Sequence, residues 1–160
     1  MMTDHVIGIT ACSKSKRGGP DSVEPFPARD LYDSWLFDGR VAALEANCDR
    51  WCIMSAKHGY VEPNDEIAWY DQEMSDLPEE EQRKRAEDVA RNVTEADRVM
   101  ILMGRNYAEP LKSALPDSIE VKDPLEGVGL FDQRKELDDL AKSKRPTSQT
   151  TFDEVSKSEK

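Results

Sequence analysis

The chain has 160 residues and a mass of 18.1 kDa, enough for one domain with a sizeable core. Apolar residues make up 38% and charged residues 34%, and 33 acidic against 22 basic side chains leave a net charge of −11. No apolar run approaches the roughly 18 residues of a membrane span, the N-terminus has neither a basic region nor a small-residue cleavage site, and 3 scattered cysteines make no disulfide framework. These features argue against a membrane protein, a secreted mini-protein and a basic DNA-binding arm, and they predict a soluble cytoplasmic domain.

The elements alternate. His5–Thr10 is a short, β-branched apolar run and predicts a buried strand. Ser34–Asn47 carries Leu36, Phe37, Val41 and Leu44 at helical spacing, with Ser34 as the N-cap candidate. Arg50–Ala56 predicts a second strand. Pro78–Thr94 predicts a mostly polar helix with proline at its start and acids in its first turn. Arg98–Met103 predicts a third strand, Glu109–Leu115 a short helix and Ile119–Val121 a fourth strand. Gly129–Lys142 predicts a closing helix with Leu130, Phe131, Leu137 and Leu140 on one stripe. Residues 142–160 have little to bury and predict a flexible polar tail behind a single α/β domain over 1–141. Strands alternating with helices predict a three-layer α/β/α sandwich, with a Rossmann-like, mostly parallel sheet of about four main strands.

Acid is dispersed through the chain, as in Asp76, Glu79, Glu80, Glu81, Asp117, Asp138 and Asp139. That composition resembles the cytoplasmic proteins of salt-loving archaea, with an ordinary acidic protein as the alternative. In dilute buffer the charge repels nucleic acid. In molar salt the Debye length is about 3 Å and the repulsion fades, so net charge alone does not exclude a nucleic-acid substrate.

Ligands of open α/β sheets sit outside the carboxyl ends of the strands. Here those ends run into Ala11-Cys12-Ser13-Lys14-Ser15-Lys16, Ser55-Ala56-Lys57-His58-Gly59, Gly104-Arg105-Asn106-Tyr107 and Asp123-Pro124-Leu125-Glu126-Gly127. A parallel sheet brings all four to one rim. The first loop is small and basic, and suits an anion nest with Lys14 or Lys16, although the phosphate-loop order of glycine and lysine is absent. Its plain alternative is a flexible surface loop. Cys12 is a nucleophile candidate where neighbouring cations favour the thiolate, or an inert buried thiol. Lys57 suits a phosphate or carboxylate, and His58 acid–base work near neutral pH. Gly59 suits a sharp turn. Pro63, Asp65, Glu66, Tyr70 and Asp71 follow on a long loop of the kind that often binds. Cys48 and Cys52 lack a second Cys/His pair at zinc spacing and read as core, so no metal and no cofactor is expected.

The ordered set ACSKSK, ARDLYDSWLF (28–37), MSAKHGYVEP (54–63), Tyr70-Asp71, Gly104-Arg105-Asn106-Tyr107 and PLEGVG (124–129) resembles an uncharacterised DUF-class family of bacteria, archaea and phages, over about residues 6–140. Tyr60 stands where that pattern usually has leucine, and Trp69 where it often has proline. Cys12-Ser13-x-x-Lys16 followed by Tyr32-x-Ser34 is similar to the Cys-Ser-x-x-Lys-Pro-Tyr-x-x-Ser signature of the archaeosine synthases, with residues 17–31 inserted between lysine and tyrosine. Those enzymes attach lysine to a deazaguanine base of transfer RNA, and their domain is associated with a uracil-DNA-glycosylase-like fold. The resemblance implies nucleobase or nucleotide chemistry.

The reading is a protein that binds a nucleobase or nucleotide, free or within RNA or DNA, and modifies it as a transferase or glycosidase-like hydrolase. Cys12, Lys57, His58 and Asp71 are the candidate catalytic residues. Ser13, Lys16, Tyr32, Ser34, Ser55, Tyr70, Asn106, Tyr107 and Glu126 are the candidate substrate-binding residues, with Tyr32 and Tyr107 placed to stack on or hydrogen-bond a base. The alternative is a non-catalytic nucleotide sensor or protein-interaction module built on the same rim. Oligomeric state is open.

Overall fold

The structure, a computed structural model, describes residues 5–13 and 16–143. Lys14 and Ser15 of the basic loop, and the expected tail beyond residue 143, lie outside the described residues. The chain runs β1 (Val6–Ala11), β2 (Phe26–Pro27), α1 (Ala28–Leu31), α2 (Trp35–Asn47), β3 (Arg50–Ser55), β4 (Gly59–Val61), β5 (Glu66–Ile67), a single 3-10 turn at Met74–Asp76, α3 (Glu79–Arg91), β6 (Arg98–Leu102), α4 (Arg105–Ala114), β7 (Glu120–Lys122) and α5 (Leu130–Ser143).

The main sheet has five strands in the order β4-β3-β1-β6-β7. β1 lies in the middle, parallel to β3 and β6, and all six of its residues are buried. This is the continuous apolar run that a strand covered on both faces requires. β7 continues the parallel set beside β6, and β4 alone is antiparallel. Helix α2 packs on β1 and β3 with α5 against it, while α3 and α4 form the other pair, so the sandwich has three layers as the alternating pattern implies. Among the described residues no helix is long and apolar enough to cross a membrane.

Local signals set the helix starts. Ser34 Oγ accepts from Phe37 N at 3.1 Å and caps α2, while Pro78 stands immediately before α3 and its three glutamates. α2 approaches the centre of the sheet closely at Gly8, where a Cβ would lie 2.6 Å from Leu44 Cδ2.

Several expectations are corrected. α4 starts at Arg105, four residues before the expected Glu109, and carries Pro110 inside it. The residues 105–108 show no apolar period, yet Ala108 and Leu111 are buried by packing against α3. The long loop after Gly59 is partly ordered: β4 folds back on β3, and β5 pairs with β2 in a separate two-stranded sheet. Strands of two or three residues carry too little periodicity to be seen, because partners elsewhere in the chain hold them. The stripe on α5 also divides. Leu137 packs on Gly39 of α2, whereas Leu130 is 58% and Phe131 98% exposed.

Candidate functional site

Three strand ends meet. Cys12 follows β1, and its N–H donates to Met54 O of β3 at 3.1 Å, extending the parallel pairing one residue beyond the strand. Its Sγ lies 3.3 Å from Tyr107 Oη, which α4 delivers from its first turn. Tyr107 Oη also accepts from Met74 N at 3.3 Å, so the 3-10 turn pins the phenol in place. Burial, then the neighbouring Cys12, pushes the Tyr107 phenol up, and it remains a proton donor.

A second set of groups packs against this pair. Lys16 forms an isolated antiparallel bridge with Tyr32, and Arg17 N donates to Leu31 O at 2.7 Å, which returns the basic loop to the rim. Lys16 Nζ sits 4.5 Å from the centre of the Tyr70 ring and Lys57 Nζ 5.8 Å, within cation–π range. The His58 ring meets the Tyr70 ring edge-on at 5.3 Å. Tyr70 Oη lies 2.7 Å from both Tyr32 Oη and Ser55 Oγ, and Ser55 Oγ accepts from Lys57 N and His58 N at 3.2 and 3.0 Å. Burial lowers the Lys16 ammonium against the opposing pull of Cys12, Asp71 and Glu73. Burial and the adjacent Lys57 and Arg85 charges lower His58.

On the far side of Cys12 lies an open cavity of about 540 Å³, within the range of small-molecule sites. Ala11, Cys12 and Ser13 form its floor, and Ser34–Phe37 with Arg40 of α2 form one wall. Gly104–Tyr107 at the start of α4 and Leu130 of α5 complete it.

Of the sequence-predicted residues, Cys12, Ser13, Ser34, Asn106 and Tyr107 line this cavity. Lys16, Tyr32, Ser55, Lys57, His58 and Tyr70 form the adjoining network. Asp71 is exposed and close enough for its charge to act on Lys16. Tyr32 is only 1% exposed, with Phe37 and Tyr70 against its ring, so it has no open face on which a base could stack. Glu126 stands apart. It pairs with Lys112 at 3.6 Å and lines a second cavity of about 440 Å³, because β7 is an edge strand, two places from β1. Lys57 and His58 arrive on a tight β3–β4 turn closed by Gly59 at φ 74°, not on a crossover loop.

The sequence reading missed Arg40, Trp35 and the role of Arg105. Arg40 is 8% exposed and occupies the same face of α2 as Phe37, Ala43, Leu44 and Asn47, all buried. A cation on the apolar stripe of a helix was the available signal.

A three-layer α/β protein with a thiol, two buried phenols and a ligand-sized cavity at the carboxyl edge of its sheet is the class that this fold and site define. The chain belongs to the DUF6884 family, a family of unknown function, which it matches over residues 7–139. No curated protein and no solved structure matches it.

Proposed function

We propose that this protein binds a nucleobase or nucleotide at the cavity beside Cys12 and modifies it. The observation that carries this reading is the position of Cys12, which lines the cavity and whose thiol lies 3.3 Å from the Tyr107 hydroxyl. A nucleobase is a flat, largely apolar ring edged with neutral donors and acceptors. The cavity offers the complement: Trp35, Leu36, Phe37 and Leu130 for the ring, and the Ser13, Asn106 and Tyr107 side chains for the edge. Cys12 supplies the nucleophile. Lys16 supplies a positive charge near Cys12, and Tyr107 donates a hydrogen bond to a developing negative charge. The likeness of Cys12-Ser13-x-x-Lys16 to the archaeosine synthase signature supports the same substrate class, free or in RNA.

The test is to incubate the full chain, in dilute buffer and in about 2 M KCl, with bases, nucleosides, nucleotides and short RNA. Thermal shift reports binding, and each ligand is recovered for mass measurement. Cys12→Ser should retain binding and lose conversion, while Tyr107→Phe should slow conversion. A bound ligand returned unaltered by the wild-type protein under both conditions would make the protein a sensor. Absence of any shift would reject nucleobase recognition.

A further inference from the structure

We propose that the cavity beside Cys12 holds the phosphate of a nucleotide, with Arg40 as its buried cation and the first turn of α4 as its amide donors. The inference rests on this cavity being the ligand site and adds the charge of what enters it.

Arg40 is more than nine-tenths buried and contributes to the cavity lining, while its Nε, shielded from solvent, has no hydrogen-bond partner among the described residues. Among the described residues its hydrogen bond is a long one, 3.4 Å from a terminal nitrogen to Gln133 Oε1. Burial lowers the guanidinium to about 10, still a full cation at neutral pH. A buried charge without a counter-ion is costly, and the surplus of carboxylates in this chain would make one easy to supply. None is there. Among the described residues the lining includes no acid; its second arginine, Arg105, is exposed and paired with Glu109 at 2.8 Å.

A second feature converges on the same space. α4 is ten residues long and begins at Gly104 without a side-chain cap, whereas α2 has its cap filled by Ser34. The open helix start directs backbone N–H groups and the positive end of the dipole into the cavity. A Cβ at Gly104 would meet nothing within 4 Å, so there is room for a ligand against that turn. The same cavity is lined by the apolar side chains Trp35, Leu36, Phe37 and Leu130. A molecule carrying both a phosphate and a planar ring matches this combination.

The test uses the full, ¹⁵N-labelled chain at constant ionic strength set with chloride. Inorganic phosphate, nucleoside 5′-monophosphates, their parent nucleosides and dinucleoside monophosphates are titrated separately, and the Arg40 guanidinium resonance is followed. Inorganic phosphate should move that resonance. A phosphate-bearing ligand should bind roughly ten- to a hundred-fold more tightly than its nucleoside, the gain expected of charge-assisted hydrogen bonds. Tighter binding of the monophosphate points to a free nucleotide, and of the dinucleoside to a strand.

Arg40→Met should bring nucleotide and nucleoside to parity without lowering the melting temperature of the ligand-free protein. Arg105→Pro is the second variant. It removes one N–H and one guanidinium at a helix position that proline favours, behind a Gly104 whose φ −71° and ψ 162° suit a following proline. It should weaken nucleotide but not nucleoside binding, and it decides the matter if Arg40→Met fails to fold.

An Arg40 resonance unmoved by phosphate, or equal affinities for nucleoside and nucleotide, would overturn the anion site while leaving nucleobase recognition intact. Phosphate binding with no affinity for nucleoside or nucleotide would overturn the nucleotide assignment together with the function proposed above.

Discussion

Ser55 Oγ stands 2.7 Å from Tyr70 Oη, and the direction of that hydrogen bond is determined by what else Ser55 does. A hydroxyl has one proton and two lone pairs. The amides of Lys57 and His58 both donate to Ser55 Oγ, which occupies the lone pairs, so Ser55 donates to Tyr70. The turn that presents Lys57 and His58 is thereby tied to the phenol over which Lys16 sits.

Ser55→Ala removes the acceptor of two turn amides and the donor to a buried phenol. With Ser55 fully buried, unfolding in urea should show a loss of about 1–3 kcal/mol. Chemical shifts should change at Tyr32, Tyr70, Lys57 and His58 while the α2 signals stay in place. A loss under half a kilocalorie, as for an ordinary surface change, would show that the network contributes little to the fold.

His58 is held below the ordinary histidine value of 6.5 by burial and by the Lys57 and Arg85 charges. A base whose folded value is depressed binds fewer protons in the folded than in the unfolded state between the two values. Its contribution is therefore complete above 6.5 and is lost as the pH falls through the folded value. Unfolding free energy compared between wild type and His58→Gln should diverge across that window. The wild type should lose more stability on acidification.

Gly59 has φ 74°, and a Cβ there would lie 2.5 Å from Asp88 Oδ2, the oxygen that accepts from Tyr60 N. Gly59→Ala should cost about 1–3 kcal/mol in equilibrium unfolding. Asp88→Ala in the same background should recover part of it by clearing the space.

Gly8 admits Leu44 against the middle strand. Gly8→Ala should overpack that contact and lower stability by about 1–3 kcal/mol. Gly8→Ala with Leu44→Ala should be less destabilised than the sum of the two single changes, measured as a double-mutant cycle.

The three central strands and the capped helix α2 were legible because their signals are local. An apolar β-branched run such as Val6–Ala11 has few alternatives to a buried strand, and Ser34 binds an amide three residues away. The strand-end rule then located Cys12, Ser55 and Tyr107 at one edge without any distance being known. Glu126 satisfied the same rule and still lies elsewhere, because the rule places strand ends on an edge and does not say where along it each loop turns.

What the sequence by itself determined is therefore the layered α/β architecture and the supply of polar groups at the carboxyl edge of the sheet, since periodicity and caps act within a few residues. The tertiary structure alone decided that Tyr32 and Tyr70 are buried partners and that the β3–β4 connection is a hairpin. It also decided that Arg40 lies buried beside a cavity with its Nε unpartnered among the described residues. Each depends on a partner from a distant part of the chain, and in the sequence a buried arginine is written like an exposed one. Only the packing of α2 against the sheet and α5 removes its water.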